Sequence, residues 1–351
     1  MDKSPYIPPK DWTPEQVQTK LQDLINHVER FNNDWWDKDL EKQEEHLKGL
    51  INVHGVFSPE LARAALEKEV YRPNEIYYHA PEDVRDGLIA KLLETEDPRT
   101  AGNLMCCLAM QGDDKALETL YELEQHPRPW REKLYADPSV YAQCGGWTFD
   151  KAGKRRQLNF DTCYPLIKGN RAENSAAQIF RPRKDRCPEC GGRLSDFLVL
   201  DGRDKRLRFL GIDGIFTATA CIGCIPWANP SYSRFTLDGS STPIFPYTEG
   251  CVDAMKDEDV DQMGDNPYVL ARDPAPLFYG ADWDEVSTIG GFPFWIENWH
   301  YTPCPDCGNP MKFVAKLSWE MLDWKGYFRE GYCYVEVCPE CQVASMHHQQ
   351  T

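Results

Sequence analysis

The sequence predicts an α+β protein, with a helical first part followed by a duplicated β-rich part that carries two four-cysteine modules. Three observations lead to this prediction. Apolar residues recur at helical spacing up to about residue 125. From about residue 145 onward, glycine, proline and aromatic residues are frequent and the apolar runs are short, as in β-rich domains. Two pairs of Cys-x-x-Cys motifs then recur at one constant interval.

The helical part opens with a clear start signal. Thr13 is a candidate N-cap, Pro14 suits the first helical position, and Gln16 completes a capping box. Ser58 and Pro59 repeat the signal ahead of a second helix. The residues that follow the first signal at helical spacing are Val17, Leu21, Leu24, Ile25, Val28 and Phe31.

Three further helices are predicted over residues 81–94, 98–111 and 113–125, where leucine recurs every three or four residues. The short break around Gly112 suits an antiparallel pair. Stacked helical hairpins of the HEAT kind are therefore the predicted arrangement of a first domain, residues 1–140.

The second part is predicted to contain two β-rich domains, residues 141–250 and 251–351. Residues 196–200 and 206–210 are typical of short strands. Residues 253–261 are dominated by charge and are predicted to form a solvated linker or loop.

The cysteine motifs are the most specific feature of the chain. Each cysteine of the second set lies 117 residues after its counterpart, as Cys304 follows Cys187. A single Cys-x-x-Cys arises easily by chance, but two pairs repeated at one interval do not. The first set is Cys187, Cys190, Cys221 and Cys224, and the second is Cys304, Cys307, Cys338 and Cys341.

Four thiolates on two short turns suit a tetrahedral metal ion, because each sulfur can reach zinc at about 2.3 Å. Gly191 and Gly308 directly follow the first turn of each set and can adopt the positive φ that folds the turn over the metal. Residues 215–219 and 332–337 are predicted strands that enter the second turns. The sequence therefore predicts two zinc-ribbon modules, each with one structural Zn²⁺ and no open coordination position.

Disulfides are the alternative explanation of these cysteines. The chain shows no apolar leader and no run of about 18 apolar residues, so we expect a cytoplasmic protein with reduced thiols and no membrane span. His300, His347 and His348 are alternative metal ligands near the second set, although Cys341 is the simpler fourth ligand. The other cysteines are expected to be buried apolar residues: Cys106, Cys107, Cys144, Cys163, Cys251 and Cys333.

The charge of the 351-residue chain is −17, and it is unevenly distributed. Residues 1–150 carry −12, residues 151–250 carry +6 and residues 251–351 carry −11. Such a field attracts cationic partners and repels nucleic acid overall, although it also serves solubility alone. The basic middle favours an alternative function as a zinc-ribbon nucleic-acid or regulatory adaptor. Its cations are Lys154, Arg155, Arg156, Arg181, Arg183, Lys184, Arg186, Lys205, Arg206 and Arg208.

The last third resembles the YwqG-like family of unknown function. The segment Gly290-Gly291-Phe292-Pro293-Phe294-Trp295 is similar to the GG-x-P-x-W segment of that family. After the Cys304 and Cys307 knuckle, Phe313-Val314-Ala315-Lys316 stands where the family has an FLAQ-like strand, with Lys316 in place of the usual Gln. A later strand that ends in a second cysteine pair matches residues 332–341.

The resemblance covers about residues 140–351 and implies a duplicated β-rich fold with no established catalytic activity. Relatives often accompany polymorphic toxins of bacterial competition systems as immunity proteins, and the preceding HEAT-like region is similar to arrangements in such proteins. No Walker-type, GxSxG or HExxH motif is present, so an enzyme is not expected.

The predicted function is therefore that of a cytoplasmic immunity protein, which neutralises a cognate toxin with a cationic active-site surface by direct contact. Acidic and aromatic side chains are the candidate contacts. Trp295 and Trp299 are set aside because they equally fit packing under the second ribbon. The candidate contact residues are Asp257, Glu258, Asp259, Trp283, Asp284 and Glu285.

Overall fold

The computed structural model describes residues 8–33, 37–172, 174–225, 230–246, 254–281, 286–319, 321 and 331–350. The chain divides into two units, Met1–Gln157 and Leu158–Thr351. This division differs from the predicted boundaries at residues 140 and 250. A short hairpin after residue 140 belongs to the first unit, and one sheet of the second unit takes strands from both sides of residue 250.

The first unit is mainly helical. The bounds of helices α1 and α3 to α6 differ from the predicted bounds by only a few residues at most of the helix ends. Within its described residues the helices are α1 (Pro14–Asn26), α2 (Lys38–Lys48), α3 (Pro59–Glu67), α4 (Glu82–Glu94), α5 (Pro98–Gln111), α6 (Asp114–Gln125) and α7 (Pro138–Ala142). Consecutive helices from α3 to α6 contact one another, and the HEAT-like arrangement of these contacts stays a prediction.

The helix ends follow the capping chemistry read from the sequence. The backbone N–H of Gln16 donates to the Thr13 hydroxyl at 3.3 Å, and the Thr13 N–H donates to the Gln16 side chain at 2.8 Å. Gly112 ends α5 with a φ of 71°, and Asp113 caps α6 through the Ala116 N–H at 2.9 Å. These bonds satisfy donors that a helix leaves unpaired, which makes the boundaries sharp.

Helix α2 was not predicted. Its sequence is dominated by charged residues, and its apolar side is completed by polar side chains rather than by a leucine stripe. Leu40 and Leu47 are buried together with Gln43 and His46. A search for apolar residues at helical spacing therefore overlooks this helix, because two of its buried positions are polar.

A two-stranded hairpin completes the first unit. Strands β1 (Trp147–Phe149) and β2 (Arg155–Gln157) pair in antiparallel fashion. The Trp147 indole donates to the Ala109 carbonyl oxygen at 2.8 Å, which ties the hairpin to α5. The Arg155 guanidinium lies 4.1 Å from the centre of the Trp147 ring and donates to the Gly112 carbonyl at 2.7 Å. Arg155 thus stabilises the fold of its own unit.

The second unit is rich in strands. Within its described residues they are β3 (Cys163–Lys168), β4 (Ala177–Arg186), β5 (Arg193–Asp201), β6 (Ile215–Ala220), β7 (Ser231–Phe235), β8 (Ser241–Ile244), β9 (Tyr268–Leu270), β10 (Thr288–Gly290), β11 (Lys312–Ser318), β12 (Tyr332–Cys338) and β13 (Val343–Gln349). A single α-helix, α8 (Asp257–Gly264), lies among them in the described chain.

Two sheets enclose the core of this unit. The larger has the strand order β8-β7-β13-β12-β11-β10-β3-β9, and the smaller has the order β4-β5-β6. Phe197 and Phe216 of the small sheet belong to one buried apolar cluster with Val335 and Met346 of the large sheet. Because β7 and β8 pair in the same sheet as β11 to β13, the two predicted repeats share one core.

Two predictions about this unit were wrong. Residues 206–210 do not form a strand but end in a 3-10 helix, Arg208–Leu210, because the Asp204 side chain accepts from the Arg206 backbone N–H and holds a turn. Residues 257–261 are not a loop. They begin α8, whose Val260 and Met263 are buried in the core. The many charges of this segment concealed an amphipathic helix.

No helix in the described part of the chain has both the length and the apolar character that a membrane span requires.

The fold makes a prediction about acid stability. Burial, assisted by Lys20 and Lys42, lowers the pKa of His46 from 6.5 to about 4. Between these pH values His46 binds a proton in the unfolded chain but not in the folded chain. The free energy of unfolding therefore falls as the pH decreases from 6.5 toward 4. His46→Gln should reduce the loss of unfolding free energy between pH 7 and pH 5 by on the order of 1 kcal/mol.

The measurement is urea unfolding of the full chain at both pH values. His126→Gln is the matched control, because the His126 side chain is 80% exposed. Equal pH dependence in wild type and His46→Gln would contradict the assignment.

Candidate metal centres

The first four-cysteine group is built from the ends of β4 and β6. Cys187 directly follows β4, and Cys221 directly follows β6. The Gly191 N–H donates to the Cys187 carbonyl at 2.8 Å, and the Cys187 N–H donates to the Gly192 carbonyl at 2.8 Å. Gly191 has a φ of 76°, as the sequence predicted. These bonds form a tight turn that points its two thiols to one side.

The second group repeats this construction. The Gly308 N–H donates to the Cys304 carbonyl at 2.8 Å, and the Cys304 N–H donates to the Asn309 carbonyl at 2.8 Å. Gly308 has a φ of 74°. Cys338 ends β12, and Cys341 lies just ahead of β13. Each turn bond therefore has its counterpart 117 residues earlier.

The sulfur atoms of each group lie within 4.8 Å of one another. Sγ–Sγ distances are 3.7 Å for Cys187 and Cys224, 3.5 Å for Cys190 and Cys221, and 3.8 Å for Cys307 and Cys338. A tetrahedral ion with metal–sulfur bonds of about 2.3 Å requires its ligands to lie about 3.8 Å apart. A disulfide requires about 2.05 Å. Both groups therefore fit a metal ion, and their thiols are not bridged.

The strand pairs beside the two groups share one register. In the first module Asp201 pairs with Ile215 and Ser195 with Ala220. In the second module Ser318 pairs with Tyr332 and Lys312 with Val337. All these positions are related by 117 residues. The bulge also recurs, since it falls between Asp196 and Leu198 in β5 and between Phe313 and Ala315 in β11.

The two groups differ in exposure. In the first group Cys187, Cys221 and Cys224 are buried and Cys190 is half-buried. In the second group Cys304 and Cys338 are buried, Cys341 is half-buried and Cys307 is exposed. Reagents in solution therefore reach the second group more easily than the first.

One thiol in each group is more acidic than an ordinary cysteine. A hydrogen bond with Cys224 is the main reason that the pKa of Cys221 falls to about 6. The backbone N–H of Asn309 lowers the pKa of Cys307. Burial instead raises the pKa of Cys187, and it raises that of Cys341 to about 11. Each cluster thus has one thiol that ionises readily beside neighbours that ionise when a cation displaces their protons.

No other group of three or more His, Cys, Asp or Glu side chains in the described chain could hold a metal ion. The histidines near the second group have other contacts. His347 stacks on Trp295 with ring centres 5.7 Å apart, and the Trp319 indole donates to His348 at 2.7 Å. Cys341 is accordingly the fourth member of the second group.

The remaining cysteines lie outside both groups. Cys107, Cys163 and Cys333 are buried, as predicted, whereas Cys106 and Cys144 are only half-buried. Cys251 lies outside the described residues.

The candidate partner contacts have mixed surroundings. Asp257, Glu258 and Asp259 form the first turn of α8. Asp257 makes an ion pair of 2.7 Å with Arg186, so its charge is partly neutralised within the unit, whereas Glu258 is exposed. The other three candidates, Trp283, Asp284 and Glu285, lie outside the described residues.

Most arginines of the basic middle are held by neighbouring acids. Arg181 and Arg183 both bind Asp196, whose side chain is 6% exposed. Arg206 binds Asp204 at 2.9 Å. The same applies to the pairs Arg186–Asp257, Arg193–Asp261 and Arg203–Asp201. These contacts remove much of the cationic surface that residues 151–208 suggested.

Sequence reasoning missed a buried polar network beside the second group. The Thr302 N–H donates to a Glu336 carboxyl oxygen at 2.8 Å, and the Ser345 hydroxyl donates to the same oxygen at 3.1 Å. The Thr302 hydroxyl lies 3.3 Å from His347 Nδ1. Burial raises the pKa of Glu336 to about 8 and lowers that of His347 well below 6.5, which favours the uncharged form of each. The alternation of Tyr332, Tyr334 and Glu336 with apolar residues was the available signal.

The first module has a buried carboxylate at the matching cross-strand pair. Asp196 is paired with Thr219, whose hydroxyl donates to it at 2.7 Å. The equivalent pair of the second module is Phe313 with Glu336. The buried acid therefore lies on the first strand of its pair in one module, Asp196 on β5, and on the second strand in the other, Glu336 on β12.

No family model matches the chain, and no solved structure matches it. The chain is similar to the "Uncharacterized protein YpfL" of Salmonella typhimurium (strain LT2), with 26% identity over 351 residues. The alignment covers 98% of this chain and 80% of that protein. The name of this relative assigns it no activity.

The geometry predicts that each group binds one metal ion that the fold needs. Cys221→Ser and Cys338→Ser should each reduce the metal content by at least one ion per chain and lower the unfolding temperature, because metal binding is coupled to folding. Elemental analysis and thermal unfolding of the purified chain measure both effects. Cys106→Ser is the control, since this thiol belongs to neither group. Unchanged metal content and stability in both variants would refute the assignment.

Proposed function

We propose that each four-cysteine group holds one structural Zn²⁺ ion and that the protein acts by binding another protein rather than by catalysis. The sulfur spacing of 3.5–3.8 Å is the observation that carries the metal assignment. Zinc and iron both accept four thiolates in tetrahedral geometry, and zinc is the commoner structural ion of such ribbons. Elemental analysis distinguishes the two metals.

Four protein ligands around one ion argue against a catalytic role for the metal. A catalytic zinc keeps one position for water or substrate, whereas each group here supplies a complete tetrahedral set. The metals instead fix the ends of the strand pairs β5–β6 and β11–β12. A rigid scaffold of this kind is suited to presenting a binding surface.

The surplus of acid in the first unit supports a cationic protein as the partner. Residues 1–150 carry a net charge of −12. Some acids are neutralised within the unit, such as Asp83 by Arg63 and Glu69 by Lys91. Others are exposed, including Glu82, Glu94, Glu96, Asp114 and Glu122. A positively charged surface would be steered toward this unit by long-range attraction.

The specific proposal is an immunity protein of the cytoplasm that neutralises a cognate toxin. Its support is the resemblance of residues 290–317 and 332–341 to the YwqG-like family, together with the acidic helical unit. Toxins that attack nucleic acids or nucleotides have cationic clefts, which an acidic partner can occlude.

A nucleic-acid adaptor is the alternative. Its support is reduced by the ion pairs that hold Arg181, Arg183 and Arg206. Lys184, Lys205 and Arg208 are exposed and can contact a phosphate backbone.

Co-expression tests the proposal directly. The protein encoded beside this gene is expressed with and without the chain, and cell growth and complex formation are measured. We expect growth to be rescued and the affinity to fall about tenfold between 50 and 300 mM salt, because exposed charges drive the association. Glu94→Gln with Glu96→Gln should weaken the complex, and so should Glu258→Gln if α8 contributes.

Asp201→Asn is the matched control for the charge variants, since Arg203 already neutralises Asp201 within the second unit. The proposal fails if the neighbouring product neither binds the chain nor is neutralised by it. Tight, salt-dependent binding of generic DNA or RNA would favour the adaptor instead.

A further inference from the structure

The hairpin formed by β7 and β8 lies between the two four-cysteine groups. Phe245, directly after β8, packs against the first group. Ile244, the preceding residue, packs against the second group together with Tyr232, its partner across the hairpin. Successive residues of an extended chain point to opposite sides, so one end of the hairpin contacts both groups.

Strand β7 also holds the turns of the second group. Arg234 donates to both carboxylate oxygens of Asp306, at 2.8 and 3.2 Å, within the Cys304–Cys307 turn. Its guanidinium also lies 3.4 Å from the Cys341 carbonyl oxygen, and the Tyr232 hydroxyl donates to the Pro303 carbonyl at 2.9 Å. The hairpin therefore contacts both cysteine turns of the second group.

The same hairpin is close to the first group at both ends, at one end along the chain and at the other by direct packing. Ser231, the first residue of β7, follows Cys224 by seven residues along the chain. Phe245 packs among Leu194 and the first-group cysteines after the chain has left β8. An ion bound at Cys187–Cys224 would thus act, through Phe245, on the exit of the element that braces the second group.

We propose that the β7–β8 hairpin couples the two metal sites, so that an ion at either site increases the affinity of the other. The proposal rests on metal binding as proposed above. Each ion contributes by ordering a hairpin that the other site also needs, and such coupling is reciprocal by thermodynamic necessity. The second site releases its ion first, because Cys307 is exposed whereas the first group is largely buried.

The test uses the metal-loaded full chain, excess chelator and a thiol-alkylating reagent, with alkylation of each cysteine followed by mass spectrometry. In the wild type, Cys304 and Cys307 should be modified before Cys187 and Cys190. Phe245→Ala retains all eight thiols and removes a side chain that packs against the first group. It should nevertheless accelerate modification of Cys304 and Cys307 by about fivefold or more.

Phe245→Leu restores apolar bulk and should return the second site close to the wild-type rate. The reciprocal variant is Arg234→Gln, which touches only the second group and should accelerate modification of Cys187 and Cys190. Arg203→Gln is its matched control, because Arg203 forms a similarly exposed ion pair with Asp201. The side chain of Arg203 is 59% exposed and that of Arg234 is 51% exposed.

Coupling is refuted if Phe245→Ala and Arg234→Gln each alter only the site that they touch. If Phe245→Ala does not fold, the Arg234→Gln arm alone decides, since this arginine is on the surface. A wild-type chain without metal would refute the proposed function itself. Two bound ions that are released independently would refute only the coupling.

Discussion

The antiparallel pairing beside each cysteine group is the constraint on which the second unit depends. Two Cys-x-x-Cys turns form one metal cage only when the strands between them are in one particular register. A slip by one residue would send alternate side chains to the opposite face and separate the thiols. The pairs β5–β6 and β11–β12 have the same register and the same bulge, so the same local solution is used twice.

The charged side chains of the two units have different surroundings. In the second unit the arginines of residues 181–206 bind nearby aspartates, and the buried Asp196 requires two of them. Glu336 instead accepts hydrogen bonds from Thr302 and Ser345, and burial raises its pKa to about 8. In the first unit many carboxylates stay on the surface. The charge pattern of the sequence therefore mixes cations that serve the fold with anions that remain free for solvent or a partner.

Much of the fold and of the metal site could be predicted from the sequence, because the signals were local. Capping residues such as Thr13 and Asp113 and the turn glycines Gly191 and Gly308 have specific backbone requirements. Helix α2 and helix α8 were missed since their inward faces are short or partly polar. The Thr302–Glu336 bond was not predictable, because it joins residues distant in sequence through a backbone N–H.

The two modules share a register but place their buried acids differently. Beside the first cysteine group the acid Asp196 pairs with Thr219. Beside the second group Phe313 pairs with the acid Glu336. Copying Phe313 alone into position 196 would leave Arg181 without its anion and Arg183 with Asp185 alone. Copying Glu336 alone into position 219 would bring two carboxylates together. Each module therefore depends on both members of its cross-strand pair. A chimera that folds must transfer both members together, along with the guanidinium groups that Asp196 requires.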